Sequence, residues 1–188
     1  MIRSDATIGG SFPYAPHFTT APGFRMHYVD EGPREAGVVL CLHGQPTWGY
    51  LFRHLIPVLS PTHRVVVPDH IGFENNALIT DTWLAAYGSP FASPADCLGA
   101  IGWSKGIATG MHKFETPDAA ADRAIRGRPA LAIWGDADRT LHAEHFLPLF
   151  TQLFPAAPVH RLAGVGHYCL EDAPDEIGRL IAEFIRQT

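Results

Sequence analysis

Apolar positions along this chain fall into two alternating patterns. Short runs of consecutive or alternating apolar residues read as strands over residues 25–30, 38–42, 64–67, 130–134 and 159–163. The run Val38-Val39-Leu40-Cys41-Leu42 has no polar member, the pattern of a strand buried on both faces. Between these runs the apolar residues recur at three and four positions. Thr47 opens one such stretch, with Trp48, Leu51, Phe52, Leu55 and Ile56 on a common face and Pro57 and Pro61 marking its close. A short helix is expected over 78–87, capped by Thr80 or Asp81 and followed by a Pro-rich break at 89–94. Further helices are expected over 118–126, 143–153 and 175–186, the last with Ile177, Leu180, Ile181 and Phe184 on one face. Strand and helix alternate without internal repeat or low-complexity linker, which predicts an α/β architecture with a mostly parallel sheet, in a single domain spanning 1–188.

Composition narrows the function classes. A chain of 188 residues, 46% hydrophobic and 18% charged, can bury a real core and has the balance of an ordinary soluble globular protein. The net charge of −5, with Lys and Arg scattered rather than striped, argues against nucleic acid as a partner. The first 18 residues lack a basic segment followed by an apolar one, and no apolar stretch is long enough to span a bilayer, so a cytoplasmic chain without membrane contact is expected. Cys41, Cys97 and Cys169 are odd in number and lack paired spacing, which favours reduced, packed thiols over disulfides or zinc.

The loops that follow the apolar strands hold the candidate chemistry. After 38–42 comes His43-Gly44-Gln45-Pro46, where Gly44 permits close backbone approach and the Gln45 N–H is suited to a developing oxyanion. The plain alternative is a Gly-Pro turn between strand and helix. After 130–134 stand Asp136 and Asp138, either of which can accept a hydrogen bond from an imidazole Nδ1; Asp is also a common turn former. After the last strand, His167 sits between Gly166 and Tyr168 in a loop. Their order, acid first, then helix and strand, then base, is that of the chain order Ser, Asp, His known from one class of hydrolase sheets.

At these residues the resemblance becomes specific. The stretch from His43 through Gln45, Thr47 and Trp48 to Arg53, the stretch Val67-Pro68-Asp69-His70-Ile71-Gly72-Phe73, and Gly164-Val165-Gly166-His167-Tyr168 resemble the haloalkane dehalogenase and epoxide hydrolase branch of the α/β-hydrolase superfamily. The resemblance implies a truncated α/β-hydrolase fold, His167 as base and Asp138 as acid. Gln45 stands where the dehalogenases carry Asn or Glu beside the substrate, and departs from that pattern. Residues 74–116 resemble a remnant of the segment by which the family's helical cap returns to the main domain. The family would follow Phe73 with a further Gly-x-Ser stretch, a helix, the nucleophile strand and most of the cap; here Phe73 runs directly into Glu74-Asn75-Asn76-Ala77. Losing a central strand would leave apolar sheet edges to re-pair, to be covered, or to mediate self-association into a homo-oligomer.

Gly102-Trp103-Ser104-Lys105-Gly106 matches Gly-x-Ser-x-Gly and precedes Asp138 and His167 in the required order, making Ser104 the candidate nucleophile. Against an elbow, residues 97–101 contain Gly99, lack Val, and follow Pro94 like the first turn of a helix. Asp69 also ends a strand, where a turn role after Pro68 is the simpler reading. His142 and His145 are three apart on a helix, yet no third ligand has recognisable spacing, so neither metal nor cofactor is expected. Ile8-Gly9-Gly10-Ser11 follows no strand and is no phosphate loop. Trp48, Trp83, Trp103 and Phe146 read as core or pocket lining, and Trp48 joins Gly44 and Gln45 as the oxyanion and substrate-binding set. The expected function is hydrolysis of a small organic substrate of the ester, lactone, epoxide or haloalkane class. The alternative is a catalytically inactive, truncated hydrolase that serves as an interaction or self-associating module.

Overall fold

Alternating burial along short strands builds the first of two units, Met1–Thr109 and Gly110–Thr188, in the computed structural model, which describes residues 8–20, 26–44, 47–69 and 119–188 together with 85, 86, 88, 105 and 109. Four strands, β1 (His17–Thr19), β2 (Met26–Glu31), β3 (Val38–Leu40) and β4 (Arg64–Pro68), form a sheet in the order β1-β2-β4-β3. β2 runs antiparallel to both β1 and β4, whereas β3 and β4 are parallel. Parallel pairing therefore holds on the β3 side of this sheet, and the antiparallel start comes from a short return between β1 and β2. Val29, Val65 and Val67 on one face of the sheet, with Ile56 and Leu59, are fully buried. Arg64 grips Asp30 with two hydrogen bonds, Nε to Oδ1 at 2.7 Å and Nη2 to Oδ2 at 2.6 Å, which fixes the β2–β4 register with a forked, charge-assisted contact.

Two expectations are corrected in this unit. The run at 38–42 yields a strand only over Val38–Leu40, and Val38, Leu40 and Leu42 are 60%, 57% and 57% exposed rather than buried. An all-apolar run suits a strand flanked on both sides, but among the described residues β4 alone pairs with β3. The helix expected from Thr47 breaks into a 3-10 turn at Gly49–Phe52 and a short helix α1 (Ile56–Leu59). Bonds from Leu51 N to Trp48 O, Arg53 N to Tyr50 O and Leu55 N to Phe52 O tighten the backbone to a three-residue repeat. Pro57 then stands in the first turn of α1, where no N–H is needed, instead of closing the helix. The apolar period still selects the core, since Trp48, Phe52, Leu55 and Ile56 are all buried.

The second unit consists of α2 (Ala119–Arg126), β5 (Ala132–Gly135), α3 (Ala143–Leu153), β6 (Val159–Leu162), α4 (Cys169–Asp172) and α5 (Pro174–Gln187). β5 and β6 are parallel, in register from Ala132 opposite Val159 to Gly135 opposite Leu162. α3 crosses between them and lays Ala143 and Leu147 against Ala132, with Trp134, Phe150 and Val159 around that contact. Ile177 and Leu180 give α5 its buried face, and Arg179 pairs with Glu183 one turn on along the outside. No helix among the described residues is long and apolar enough to cross a membrane.

Candidate active site

A glycine brings the acid and base loops of the second unit together. A Cβ on Gly135 would lie 2.3 Å from the Val165 carbonyl oxygen and 2.5 Å from that of Gly166, so the 164–166 loop can pack over the end of β5 only where no side chain stands. Ala137 N–H then donates to Val165 O at 2.8 Å, and Asp136 N–H to Leu162 O at 3.0 Å. On this platform Asp138 Oδ2 lies 2.8 Å from His167 Nδ1. Asp138 Oδ1 accepts the N–H groups of Thr140 and Leu141, both at 2.8 Å, closing a local Asp turn. The Asp138 side chain is 6% exposed, that of His167 26%.

Between the two aspartates that the sequence leaves open, the geometry separates roles. Asp136 turns to the surface and accepts from Arg161 Nε at 2.6 Å, while Asp138 faces the imidazole. Burial works to raise the Asp138 pKa, but the bonds from His167, Leu141 and Thr140 outweigh it and hold the carboxyl below its ordinary 3.8. An ionised partner at Nδ1 makes that nitrogen the donor and leaves Nε2 as a proton acceptor. Among the described residues nothing bonds Nε2. Such an arrangement can serve as an oriented general base.

Two residues support this pair, Asp172, which carries no periodic or motif signal, and Tyr168, which closes the 164–168 motif. Asp172, at the end of α4, accepts the Gly166 N–H at 2.7 Å and so pins the residue before His167. Tyr168, 9% exposed, sets its ring edge-on to the imidazole at 5.3 Å.

In the first unit, the turn after β3 is closed by its own carbonyl. Gly44 O accepts from Thr47 N at 3.1 Å, Thr47 Oγ1 at 3.0 Å and His43 Nδ1 at 3.0 Å. Among the described residues, a Cβ on Gly44 would meet nothing within 4 Å. Trp48 is 3% exposed, packs edge-on against Phe12 at 5.0 Å, and donates its indole N–H to Ala86 O at 3.0 Å. Gln45 and Ser104 lie outside the described residues, as does Cys97. Lys105, next to Ser104, is helical, and Thr109 Oγ1 donates to its carbonyl at 2.7 Å. Cys41 and Cys169 are free, and burial pushes the Cys41 thiol up to about 11. The His142 and His145 rings are 6.0 Å apart, and no group of three metal-ligating side chains gathers among the described residues.

No family model matches the chain. Over 51 residues it is 59% identical to a cis-3-alkyl-4-alkyloxetan-2-one decarboxylase of Xanthomonas campestris pv. campestris, a match covering 27% of this chain and 17% of that protein. Over 68 residues it is 47% identical to a haloalkane dehalogenase of Mycobacterium marinum, covering 33% and 23%. Each match thus spans less than a quarter of the relative's length. The crystal structure of a haloalkane dehalogenase from Bradyrhizobium elkani matches with a TM-score of 0.77 at 17% identity, over 92% of this chain and 98% of that one. The chain has the α/β-hydrolase fold. The proteins it is similar to thus include haloalkane dehalogenases by sequence over a short stretch and by fold. In this fold, β5 and β6 deliver Asp138 and His167 from the ends of neighbouring parallel strands, the place where open α/β sheets concentrate their chemistry.

Proposed function

We propose that the chain is a hydrolase of small organic substrates with an electrophilic carbon, of the ester, lactone, epoxide or haloalkane class, with His167 as general base and Asp138 as the residue that orients it. One observation carries the reading: the 2.8 Å contact between Asp138 Oδ2 and His167 Nδ1, made by a carboxylate whose other oxygen is already saturated by two backbone N–H groups. Such a carboxylate fixes both the tautomer and the ring direction. In this reading Ser104 is the nucleophile and an ester or lactone the substrate. Ser104 Oγ attacks the carbonyl carbon as His167 Nε2 takes its proton, and the imidazolium returns that proton to the departing alcohol. Water, deprotonated by the same nitrogen, then releases the acid and restores Ser104. Gly44 and Gln45 supply the oxyanion side, with Trp48 supporting the turn from the core. The site is read as impaired or rearranged relative to its relatives, because the family's own nucleophile segment has no counterpart after Phe73. A cytoplasmic location belongs to the same reading, supported by the free Cys41 and Cys169.

Turnover of p-nitrophenyl acetate by the wild type, Ser104→Ala and His167→Ala tests this. Activity above buffer in the wild type, lost in both variants, is expected; a wild type equal to buffer removes the enzyme, and an unaffected Ser104→Ala removes the elbow.

A second reading rests on the open edge of β3. Val38, Leu40 and Leu42 form an exposed apolar stripe beside main-chain groups with no strand partner among the described residues, and an uncharged edge of this kind favours pairing between copies. A catalytically silent, self-associating module would then elute from a sizing column as a dimer or larger species, and a monomer at every concentration would dismiss it.

A further inference from the structure

A second His–Asp pair lies in the first unit. His27 Nδ1 on β2 is 2.7 Å from Asp69 Oδ2 just past β4, with side-chain exposures of 8% and 13%. The two residues are also joined through the main chain, Asp69 N–H donating to His27 O at 3.0 Å, and Phe18 of β1 sets its ring against the imidazole at 5.5 Å. The remaining carboxylate oxygen, Oδ1, accepts the N–H of Gly49 at 2.8 Å.

That last bond reaches the turn that follows β3. Gly49 is the first residue of the 3-10 turn, whose capping position is held by Trp48, a side chain that makes no cap hydrogen bond. An orphan N–H at a helical start needs an acceptor. Asp69 provides it from a different strand, as a cap remote in sequence. The fit is close: a Cβ on Gly49 would sit 3.0 Å from Asp69 Oδ1 and 3.2 Å from Val67 Cγ1, so both side chains would have to give by a few tenths of an ångström. One bond earlier along the chain, Thr47 donates twice to Gly44 O.

We propose that Asp69, itself oriented by His27, is a positioning residue that brackets the 43–49 turn to β2 and β4 through the Gly49 N–H. Both carboxylate oxygens are engaged, Oδ2 by the His27 ring and Oδ1 by the Gly49 N–H. The catalytic consequence rests on the hydrolase reading above; the bracket itself does not.

Amide hydrogen exchange on the full chain, read by NMR for the wild type, Asp69→Ala and Asp69→Asn, decides it. In Asp69→Ala the Gly49 amide is expected to exchange about tenfold faster or more, the scale of losing a hydrogen bond to a charged acceptor, with the Ile133 amide of β5 unchanged. Asn retains a carbonyl acceptor at Oδ1, so Asp69→Asn should keep Gly49 within about threefold of wild type, a rescue that a bulk packing role would not require. If Asp69→Ala does not fold, His27→Phe removes the second anchor of the carboxylate and is expected to speed Gly49 exchange several-fold. Unchanged Gly49 exchange, or an equal rise at Ile133, overturns the bracket. In the esterase assay, Asp69→Ala should lower kcat with KM unmoved. A wild type without turnover defeats the hydrolase reading while Gly49 exchange still decides the bracket.

Discussion

Replacing Gly135 by Ala tests how the acid and base loops are held together. The added Cβ would stand 2.3 Å from Val165 O, 2.5 Å from Gly166 O and 2.8 Å from Val165 C, all main-chain atoms with no rotamer to change, where ordinary contact begins at 3.4 Å. The 164–166 loop must retreat by about 1 Å. The Ala137–Val165 bond and the Asp138–His167 contact both cross that packing surface. Overpacking of this kind costs about 1–3 kcal/mol and a strained hydrogen bond about 1 kcal/mol more, giving a destabilisation of about 2–4 kcal/mol. Urea unfolding followed by tryptophan fluorescence reads it as a lower midpoint at constant slope. A displacement of this size should also lower esterase turnover about 100-fold. Gly44→Ala is the matched control for stability: among the described residues its Cβ meets nothing within 4 Å, so its stability should stay within about 0.5 kcal/mol of wild type. If Gly135→Ala is equally silent, the two loops do not pack as described, and the account of how Asp138 meets His167 fails.

Other outcomes follow from the same geometry. Asp138→Asn keeps the shape but no longer enforces the Nδ1–H tautomer, and should reduce kcat by about 10³–10⁴ with a smaller change in KM. Acid should destabilise the fold through Asp30, whose bond from Arg64 lowers its pKa, and through Asp138, where the hydrogen bonds outweigh burial. Both folded values lie below the ordinary 3.8, so this stability is fully present above that pH and is lost as pH falls below 3.8 through the depressed values; thermal melts from neutral pH down to about 2.5 should show it, with a shallower acid limb in Asp138→Asn. Leu40→Lys places a charge on the open edge of β3, and any oligomer seen by sizing should shift to monomer while unfolding changes by no more than about 0.5 kcal/mol.

What could be read from the residues tracks how local the signal is. β4, β5, β6, α3 and α5 were legible because each carries its own period over a buried face, as Val65 and Val67 or Ile177 and Leu180 show. β1 and α4 are three and four residues long, too short for any period to register. The exposure of Val38 and Leu40 was not legible, because an apolar run records what a strand would bury and not whether neighbours stand on both sides. The start of the 3-10 turn is capped by Asp69, twenty residues away, which accepts the Gly49 N–H, a contact without local signature. At the site, Asp138 and His167 were found by order and motif, while choosing Asp138 over Asp136 from the residues alone required the family resemblance. Asp172 and His27 escaped notice because each acts on a main-chain or side-chain partner that only folding brings near.

The claim on which the rest depends is that His167 is held as an oriented base by Asp138. Nitrogen-15 NMR of the imidazoles, at a pH where they are neutral, reads the tautomer of His167 directly. The geometry predicts the Nδ1–H form, less common for free histidine, in the wild type, and a mixture in Asp138→Ala. A His167 found as the Nε2–H tautomer in the wild type, or unmoved by Asp138→Ala, would contradict the account.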